Sequence, residues 1–569
     1  MSITAFLLPG TRVLTVLGDQ GDNIISVGRN SAGDLLVNGG AVQIFGRRAS
    51  ASSVDTIAIA GLGGNDTLKI DETNGVMPKS ILLGGEGNDT LIGGSGLDYL
   101  FGEGGHDFID GNGGNDVAWM GTGDDTFQWD PGDGSDRIEG GAGLDRMIFN
   151  GSAGNEVFDA SASGSRLRFF RNLGNIVMDT DDLEQIDLNA LGGTDQITIN
   201  NLAATDVKTV NLNLAGLLGN SAGDTQADTV IINGTDLADT INVAGAAGSN
   251  AYQVTGLAAA IHVTGTETID RLTIQGLGGD DRISAQDLAA NVTQLTLDGG
   301  NGNDFLTGSR GIELLLGGDG NDVAIGLAGN DVAFMGAGDD QFIWNPGDGS
   351  DTVEGQLGSD TMVFNGSNVS EKFSLSANGG RAIFFRDVAN ITMDLDDVET
   401  IELNALGGAD TVVLNDVSGT DLKTVKVNFA ALGGALDGQV DRLIMNGTTG
   451  DDTFVLANSG NEISILGLAA NVSLSGFERS DSIEINGLLG DDIFDASLLT
   501  LPVSIVFSGD AGDDIMLGGI NNERFLGGDG DDVVTAGAGD DFLDGGLGDD
   551  VLLGDAGNDV LINGEISIQ

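Results

Sequence analysis

Along most of the chain, apolar residues are interleaved with small polar ones. The stretches "ADTVIINGTDLADTINVAG" from Ala227 and "DTVVLNDV" from Asp410 set Val, Ile and Leu among Thr, Asn and Asp. Alternation sends successive side chains to opposite faces, so these segments predict β-strands with one buried face. Helical periodicity is scarce. Its best candidates, "AQDLAANV" from Ala285 and "DLDDVET" from Asp394, read equally well as turns.

A second pattern punctuates the first. From Gly84 to Gln128 the chain divides without gaps into "GGEGNDTLI", "GGSGLDYLF", "GEGGHDFID", "GNGGNDVAW" and "MGTGDDTFQ", each with Gly at position four, Asp at position six and an apolar residue at position eight. The first six residues suit a tight, glycine-dependent turn, and the last three suit a short strand with one side chain facing inward. Two nonapeptides then close one 18-residue coil. Coils stacked at the ~4.8 Å strand spacing would form two parallel sheets around a thin core of Leu91, Leu100, Ile109, Ala118 and Phe127.

A longer period of about 215 residues overlies the short one. "NDVAWMGTGDDTFQWDPGDGSD" from Asn115 returns as "NDVAFMGAGDDQFIWNPGDGSD" from Asn330, and the likeness runs on through "RLRFFRNLGNIVMDTDDLEQIDLNALGG" and "RAIFFRDVANITMDLDDVETIELNALGG". A third, truncated copy starts near Asp441. The expected units are residues 1–226, 227–440 and 441–569, with nonapeptide blocks at 84–128, 299–343 and 509–562.

Charge changes the picture most. Lys and Arg number 23 against 87 Asp and Glu, a net charge of −64. Such a polyanion repels nucleic acid and anionic membrane surfaces, and no stretch reaches the ~18 apolar residues of a membrane span. Neither nucleic-acid binding nor membrane insertion is expected. With no Cys, disulfides and zinc-thiolate staples are excluded. In the stacked coils Asp89 lies near Asp107, Asp98 near Asp116 and Asp107 near Asp125, and carboxylates about 5 Å apart repel by roughly 0.8 kcal/mol even in water. A divalent cation between same-edge turns reverses the sign. Carboxylates and turn carbonyls are hard oxygen ligands with flexible spacing, which favours calcium over zinc or magnesium.

"GGEGNDTLI", "GGDGNDVAI" and "GGDGDDVVT" resemble the calcium-binding nonapeptide of the RTX (repeats-in-toxin) family. Carried over residue by residue, the resemblance makes the metal ligands Asp89, Asp98, Asp107, Asp116 and Asp125 in the first block. Asp304, Asp322, Asp331 and Asp340 serve the second, and Asp514, Asp532, Asp541, Asp550 and Asp559 the third. Asp107 and Asp322 would each be shared by two ions. Glu313 in "GSRGIELLL" and Glu523 in "GGINNERFL" replace the Asp, and ion pairs with Arg310 or Arg524 compete with metal there. Asp66 in "GLGGNDTLK" and Asp281 in "GLGGDDRIS" stand in isolated motifs without an in-register neighbour. The resemblance also implies export from a bacterium by type I secretion, folding on meeting external calcium, and a location outside the cell or on its surface. Against the usual pattern, little follows the last motif, "GDAGNDVLI".

Other chemistry is sparse. His106 fills a turn and His262 a strand, so a hydrolytic triad has little to build on. Trp129 and Trp344, ahead of "DPGDGSD" and "NPGDGSD", are either sugar-stacking platforms or caps on the core, and Asp133, Asp136, Asp348 and Asp351 beside them are either an extra cation site or part of a closing loop. "RLRFFR" from Arg166 and "RAIFFR" from Arg381 could bind an anionic polymer, or their Arg residues could pair with Asp181, Asp182, Asp396 and Asp397.

The expectation is an all-β, continuous right-handed parallel β-solenoid, with three RTX β-roll blocks joined by calcium-poor, strand-rich solenoid segments. The favoured function is a non-catalytic, calcium-dependent structural protein of surface-layer, matrix or adhesin type. The alternative is a secreted polysaccharide-active enzyme or a glycan-binding module. Beyond calcium, the expected partners are a second copy end to end, since only a short tail could cover the last coil, or a cell-surface glycan.

Overall fold

The computed structural model describes residues 3–568. Their regular structure is β-strand apart from three short 3-10 segments, and no helix is long and apolar enough to cross a membrane. Both helix candidates are absorbed by strands. Ala285 to Leu288 end the strand Arg282–Leu288, and Asp394 to Asp396 end Ile391–Asp396, after which Asp397 turns the chain at φ +50°. The chain packs as two compact units, Met1–Thr296 and Leu297–Gln569.

In the first unit the strands fall into two sheets. One stacks Val13–Leu17, Thr56–Gly63, Lys79–Glu86, Tyr99–Gly104, Val117–Thr122 and Arg137–Ala142 in parallel. The other stacks Ile24–Arg29, Thr67–Asp71, Thr90–Ile92, Phe108–Asp110, Thr126–Trp129 and Arg146–Asn150. Alternate nonapeptides thus feed opposite sheets. Leu91 lies over Ile109 and then Phe127, and Leu82 over Leu100 and then Ala118, all at most 1% exposed. Each stacked layer removes one or two apolar side chains per strand from water, and a branched or aromatic residue contributes about 1.5–3 kcal/mol.

The second unit repeats this plan within its own bounds. Phe305–Thr307, Val323–Ile325, Gln341–Trp344 and Thr361–Asn365 stack in one sheet, and Glu313–Asp319, Val332–Ala337 and Thr352–Leu357 in the other. Its last coils run through Val533–Thr535 and Val551–Leu553, on which Ile566–Ile568 adds a further strand.

The parallel stack is interrupted by three-stranded antiparallel meanders, which the alternating pattern did not anticipate. In the first unit Val157–Ser163, Arg166–Arg171 and Ile176–Asp181 fold back on one another; the third strand pairs in parallel with Arg137–Ala142 and the first with Gln196–Ile199. The second unit holds its counterpart in Lys372–Asn378, Arg381–Arg386 and Ile391–Asp396. Two-residue Gly-Ser and Gly-Gly loops at 164–165 and 379–380 cause the reversal, with Gly164 at φ +68° and Gly379 at φ +65°. Similar meanders occupy 240–264 and 453–475.

Candidate metal centre

Nonapeptide turns with a polar residue at position five are fixed by two ladders of opposite sense. At position six the backbone N–H of one Asp donates to Oδ1 of the Asp one coil later: Asp89 to Asp107 and Asp107 to Asp125 at 2.7 Å, and Asp98 to Asp116 at 2.7 Å. At position five the side chain accepts instead from the following coil, as Asn88 Oδ1 does from the His106 N–H at 2.9 Å, and His106 Nδ1 from the Asp124 N–H at 2.8 Å. His106 is therefore a rung of a turn ladder.

The position-six carboxylates form long columns. One begins at Asn23 and runs through Asp66, Asp89, Asp107, Asp125 and Asp145 to Glu184. A second links Asp98, Asp116 and Asp136. In the second unit Asp304, Asp322, Asp340 and Asp360 lead to Glu399. Glu313, Asp331 and Asp351 form another column. Asp452, Asp492, Asp514, Asp532 and Asp550 lead to Glu565, and Glu523 to Asp541 and Asp559. All the sequence-derived candidates lie in these columns, and each is no more than 5% exposed.

Heads and interiors of columns differ. At two heads the second carboxylate oxygen folds back onto the position-two N–H of its own turn: Asp98 Oδ2 accepts from Gly94 at 2.6 Å, and Asp452 Oδ2 from Thr448 at 2.6 Å, whereas Oε2 of the head Glu523 is buried without a hydrogen-bond partner among the described residues. Glu313 likewise accepts from Ser309 N–H and Oγ, at 2.8 and 2.6 Å, and forms no ion pair with Arg310 among the described residues. Interior rungs have no such partner. Oδ2 of Asp89, Asp107, Asp116, Asp125, Asp322, Asp331, Asp340, Asp514, Asp532, Asp541 and Asp550 is buried without a hydrogen-bond partner among the described residues. An ionised carboxylate in that state carries a desolvation cost that only a counter-charge offsets.

Glycine shapes the space beside those oxygens. A side chain at position one would run into both the carboxylate of its own turn and a carbonyl of the next coil: at Gly84 into Asp89 Oδ2 and the Gly102 carbonyl, at Gly317 into Asp322 Oδ2 and the Met335 carbonyl. At position four, Gly87 and Gly105 stand at φ +122° and +134°, which L-residues avoid. An all-oxygen, acceptor-only donor set facing a gap kept clear of Cβ atoms fits calcium. The columns could hold it through the position-six carboxylates and turn carbonyls.

Burial sets the electrostatics. Desolvation, reinforced by neighbouring carboxylates, pushes Asp107 up to about 7, Asp116 to about 9, Asp322 to about 7 and Asp331 to about 8, against the opposing pull of their backbone N–H bonds. Asp98 is also raised by burial, with the N–H bonds from Gly94 and Ser80 acting against it.

Sequence reasoning stopped the columns too early. Asp66 and Asp281 are not isolated: the Asp66 N–H donates to Asp89 Oδ1 at 2.7 Å and the Asp239 N–H to Asp281 Oδ1 at 2.7 Å. The two-residue insertion after Trp129 shifts the register from 18 to 20 residues without breaking it, so Asp136, Asp145, Asp351 and Asp360 extend the columns, with Oδ2 atoms that are buried without a hydrogen-bond partner among the described residues. Asp195, Asp410 and Asp492 join the same class in segments read as calcium-poor. The signal was present in "GGAGLDRMI" from Gly140 and "GQLGSDTMV" from Gly355.

The remaining candidates resolve differently. Trp129 and Trp344 are fully buried, stack on Phe149 and Phe364 at 4.1 Å and donate from Nε1 to the Gly134 and Gly349 carbonyls, so neither is a sugar platform. Arg166 pairs with Glu139, Asp179 and Asp181, and Arg381 with Glu354, Asp394 and Asp396. Asp182 and Asp397 are not in those pairs but cluster with Asp206 and Asp421. Arg524 lies over the Phe542 ring at 4.5 Å.

The model of the RTX calcium-binding nonapeptide repeat matches residues 83–118, 131–163, 296–312, 307–342, 347–368, 506–524 and 526–561. No curated protein matches the chain. Among solved structures, the extracellular lipase LipA from Serratia marcescens is similar at 12% identity, with a TM-score of 0.14, over 73% of this chain and 43% of the lipase. The chain therefore spans less than half of that protein's length.

Proposed function

Starting from a chain that carries RTX calcium-binding nonapeptide repeats in multiple copies, and so binds several calcium ions, we propose that it is an extracellular structural protein of surface-layer, matrix or adhesin type that folds and rigidifies as calcium fills its carboxylate columns. The observation that carries this reading is the row of interior rungs whose second oxygens are buried without a hydrogen-bond partner among the described residues. Removing water from so many like charges is unfavourable until a divalent ion lies between them, so metal binding and folding become one equilibrium. Millimolar calcium outside a cell suits sites of this class, whereas cytosolic calcium would leave them empty. Export by type I secretion fits a chain whose nonapeptide blocks stay unordered until they meet calcium.

The proposed ligands are the position-six residues Asp89, Asp107, Asp116 and Asp125, with Asp304, Asp322, Asp331, Asp340, Asp514, Asp532, Asp541, Asp550 and Asp559. Asp98 is proposed as a one-sided ligand at the head of its column. The functional repeat is taken as the duplicated unit of residues 1–226, 227–440 and 441–569. End-to-end association through open strand edges would turn such units into an array. Sedimentation velocity with and without calcium tests the reading: a compact, calcium-loaded species that expands in chelator supports it, and identical sedimentation in both overturns it. Light scattering of the loaded protein tests self-association. Turnover of acidic or neutral glycans by that protein would replace the structural role with a catalytic one.

A further inference from the structure

Two turns at the ends of nonapeptide runs keep the glycine at position one and a carboxylate at position six but neutralise that carboxylate differently. "GSAGNEVFD" from Gly151 and "GSNVSEKFS" from Gly366 put Glu156 and Glu371 at position six, each 1% exposed. A side chain at Gly151 would meet Glu156 Oε2 and the Ala190 carbonyl, the same convergence of oxygens found beside Gly84. Here, however, Oε2 accepts the Ser152 N–H at 2.6 Å, and Oε1 receives the guanidinium of Arg171. Arg171 is 6% exposed and also reaches Ser152 Oγ and the Leu173 carbonyl, both at 3.2 Å. The second unit reproduces the arrangement: Arg386 binds Glu371 Oε1 and donates to Ser367 Oγ at 3.2 Å, while Glu371 Oε2 accepts the Ser367 N–H at 2.7 Å.

Both guanidiniums lie 5.2 Å from a buried indole, Trp129 or Trp344, and that indole stacks on an aromatic run continued by the meander. Phe149 meets Phe169 at 4.9 Å, and Phe364 meets Phe384 at 4.8 Å. These layers contain the largest buried side chains of the protein and a positive charge supplied by the chain itself. Each also abuts a calcium column. The Asp125 N–H donates to Asp145 Oδ1 and the Asp179 N–H to the Asp136 carbonyl in the first unit, as the Asp340 N–H does to Asp360 Oδ1 and the Asp394 N–H to the Asp351 carbonyl in the second.

We propose that the aromatic meander layers at residues 146–181 and 361–396, with Trp129 and Trp344 stacked on them and closed by Arg171–Glu156 and Arg386–Glu371, are calcium-independent seeds on which the neighbouring nonapeptide coils order as metal arrives. A guanidinium held by a carboxylate and a hydroxyl does locally what the ion does between rungs, and aromatic burial needs no metal. Such a seed shortens the loop closure required to start a stack of parallel coils. The proposal rests on calcium-dependent ordering of the blocks.

Hydrogen exchange of the full chain, followed by mass spectrometry in chelator and in millimolar calcium, tests it. In chelator, peptides from 146–181 and 361–396 should exchange about 100-fold more slowly than peptides from 84–128 and 299–343, and calcium should then protect the blocks. No protected segment in chelator overturns the seeds while leaving calcium-dependent folding intact. Uniform protection in chelator overturns both. The double variant Arg171→Met, Arg386→Met should lose the chelator-resistant protection yet regain block protection at higher calcium; unchanged protection in chelator contradicts the role of the guanidiniums. If that variant does not fold, the wild-type exchange pattern alone decides.

Discussion

The turn from Gly102 to Asp107 and the turn from Gly151 to Glu156 share glycine punctuation and a position-six ladder, yet they balance charge by opposite means. Asp107 has a ladder neighbour on both sides, Asp89 and Asp125, and its second oxygen has no hydrogen-bond partner among the described residues. Glu156 donates its N–H to Asp195 Oδ1 at 2.8 Å and has both oxygens satisfied by its own chain, through Ser152 and Arg171. If the proposals hold, the first arrangement makes order conditional on calcium, and the second makes it a property of the chain itself. On the proposed reading, stacking coils is one problem with two electrostatic solutions: an ion between rungs where coils are many and thin, and an arginine where aromatic residues thicken the core.

Removing calcium should have the largest effect on this contrast. In chelator at pH 8 the far-UV circular dichroism signal of the blocks should be lost. Acid should partly restore it. The folded-state carboxyls of Asp107, Asp116, Asp322 and Asp331 sit at about 7 to 9, well above their ordinary value near 4, so the calcium-free fold binds more protons than the unfolded chain. Its stability is greatest below about pH 4 and falls as pH rises through about 7 to 9. The same protonation means that calcium affinity weakens as pH drops below about 7. A chelator signal independent of pH between 4.5 and 8 would contradict this.

Next in size, Trp129→Ala should destabilise its layer by about 3–5 kcal/mol, read by thermal or denaturant unfolding in saturating calcium. A change below ~1 kcal/mol would mean that the indole is not the keystone of that layer.

A smaller and sharper comparison sets an interior rung against a head. Asp107→Asn keeps an acceptor for the Asp89 N–H but removes the charge, and should raise the calcium midpoint for folding about tenfold, equivalent to ~1.4 kcal/mol. Asp98→Asn at a column head should shift it about twofold or less. Equal shifts would erase the distinction between heads and interiors. Smallest of all, His106→Ala removes one exposed acceptor, for the Asp124 N–H, and should cost about 0.5–1 kcal/mol without changing calcium stoichiometry.

The coil geometry was legible from residues alone, because a nine-residue spacing of Gly, Asp and one apolar position dictates a turn, a short strand and an 18-residue stacking register. Inward placement of Leu91, Ile109 and Phe127 follows from it. The meanders were less visible, although Gly164-Ser165 and Gly379-Gly380 between alternating runs are hairpin signals: local alternation fixes a strand but not the direction of its partner. The ladder of N–H donors to Oδ1 is a tertiary feature that no spacing reveals. Asp145 and Asp360 do stand at position six of "GGAGLDRMI" and "GQLGSDTMV", but the insertion ahead of them breaks sequence register while leaving spatial register whole. Arg171 and Arg386 lay in a stretch singled out for its charge, but their partners, Glu156 and Glu371, lie fifteen residues upstream and come beside them only through the antiparallel fold.

The most direct test is a crystallographic map of the calcium-loaded protein with the ion's anomalous signal. Peaks should lie against the second carboxylate oxygens of interior rungs such as Asp107, Asp116, Asp322 and Asp331, with none between Glu156 and Arg171 or between Glu371 and Arg386. Well-ordered interior carboxylates with no ion beside them, or equal peaks at the arginine-closed turns, would contradict the account.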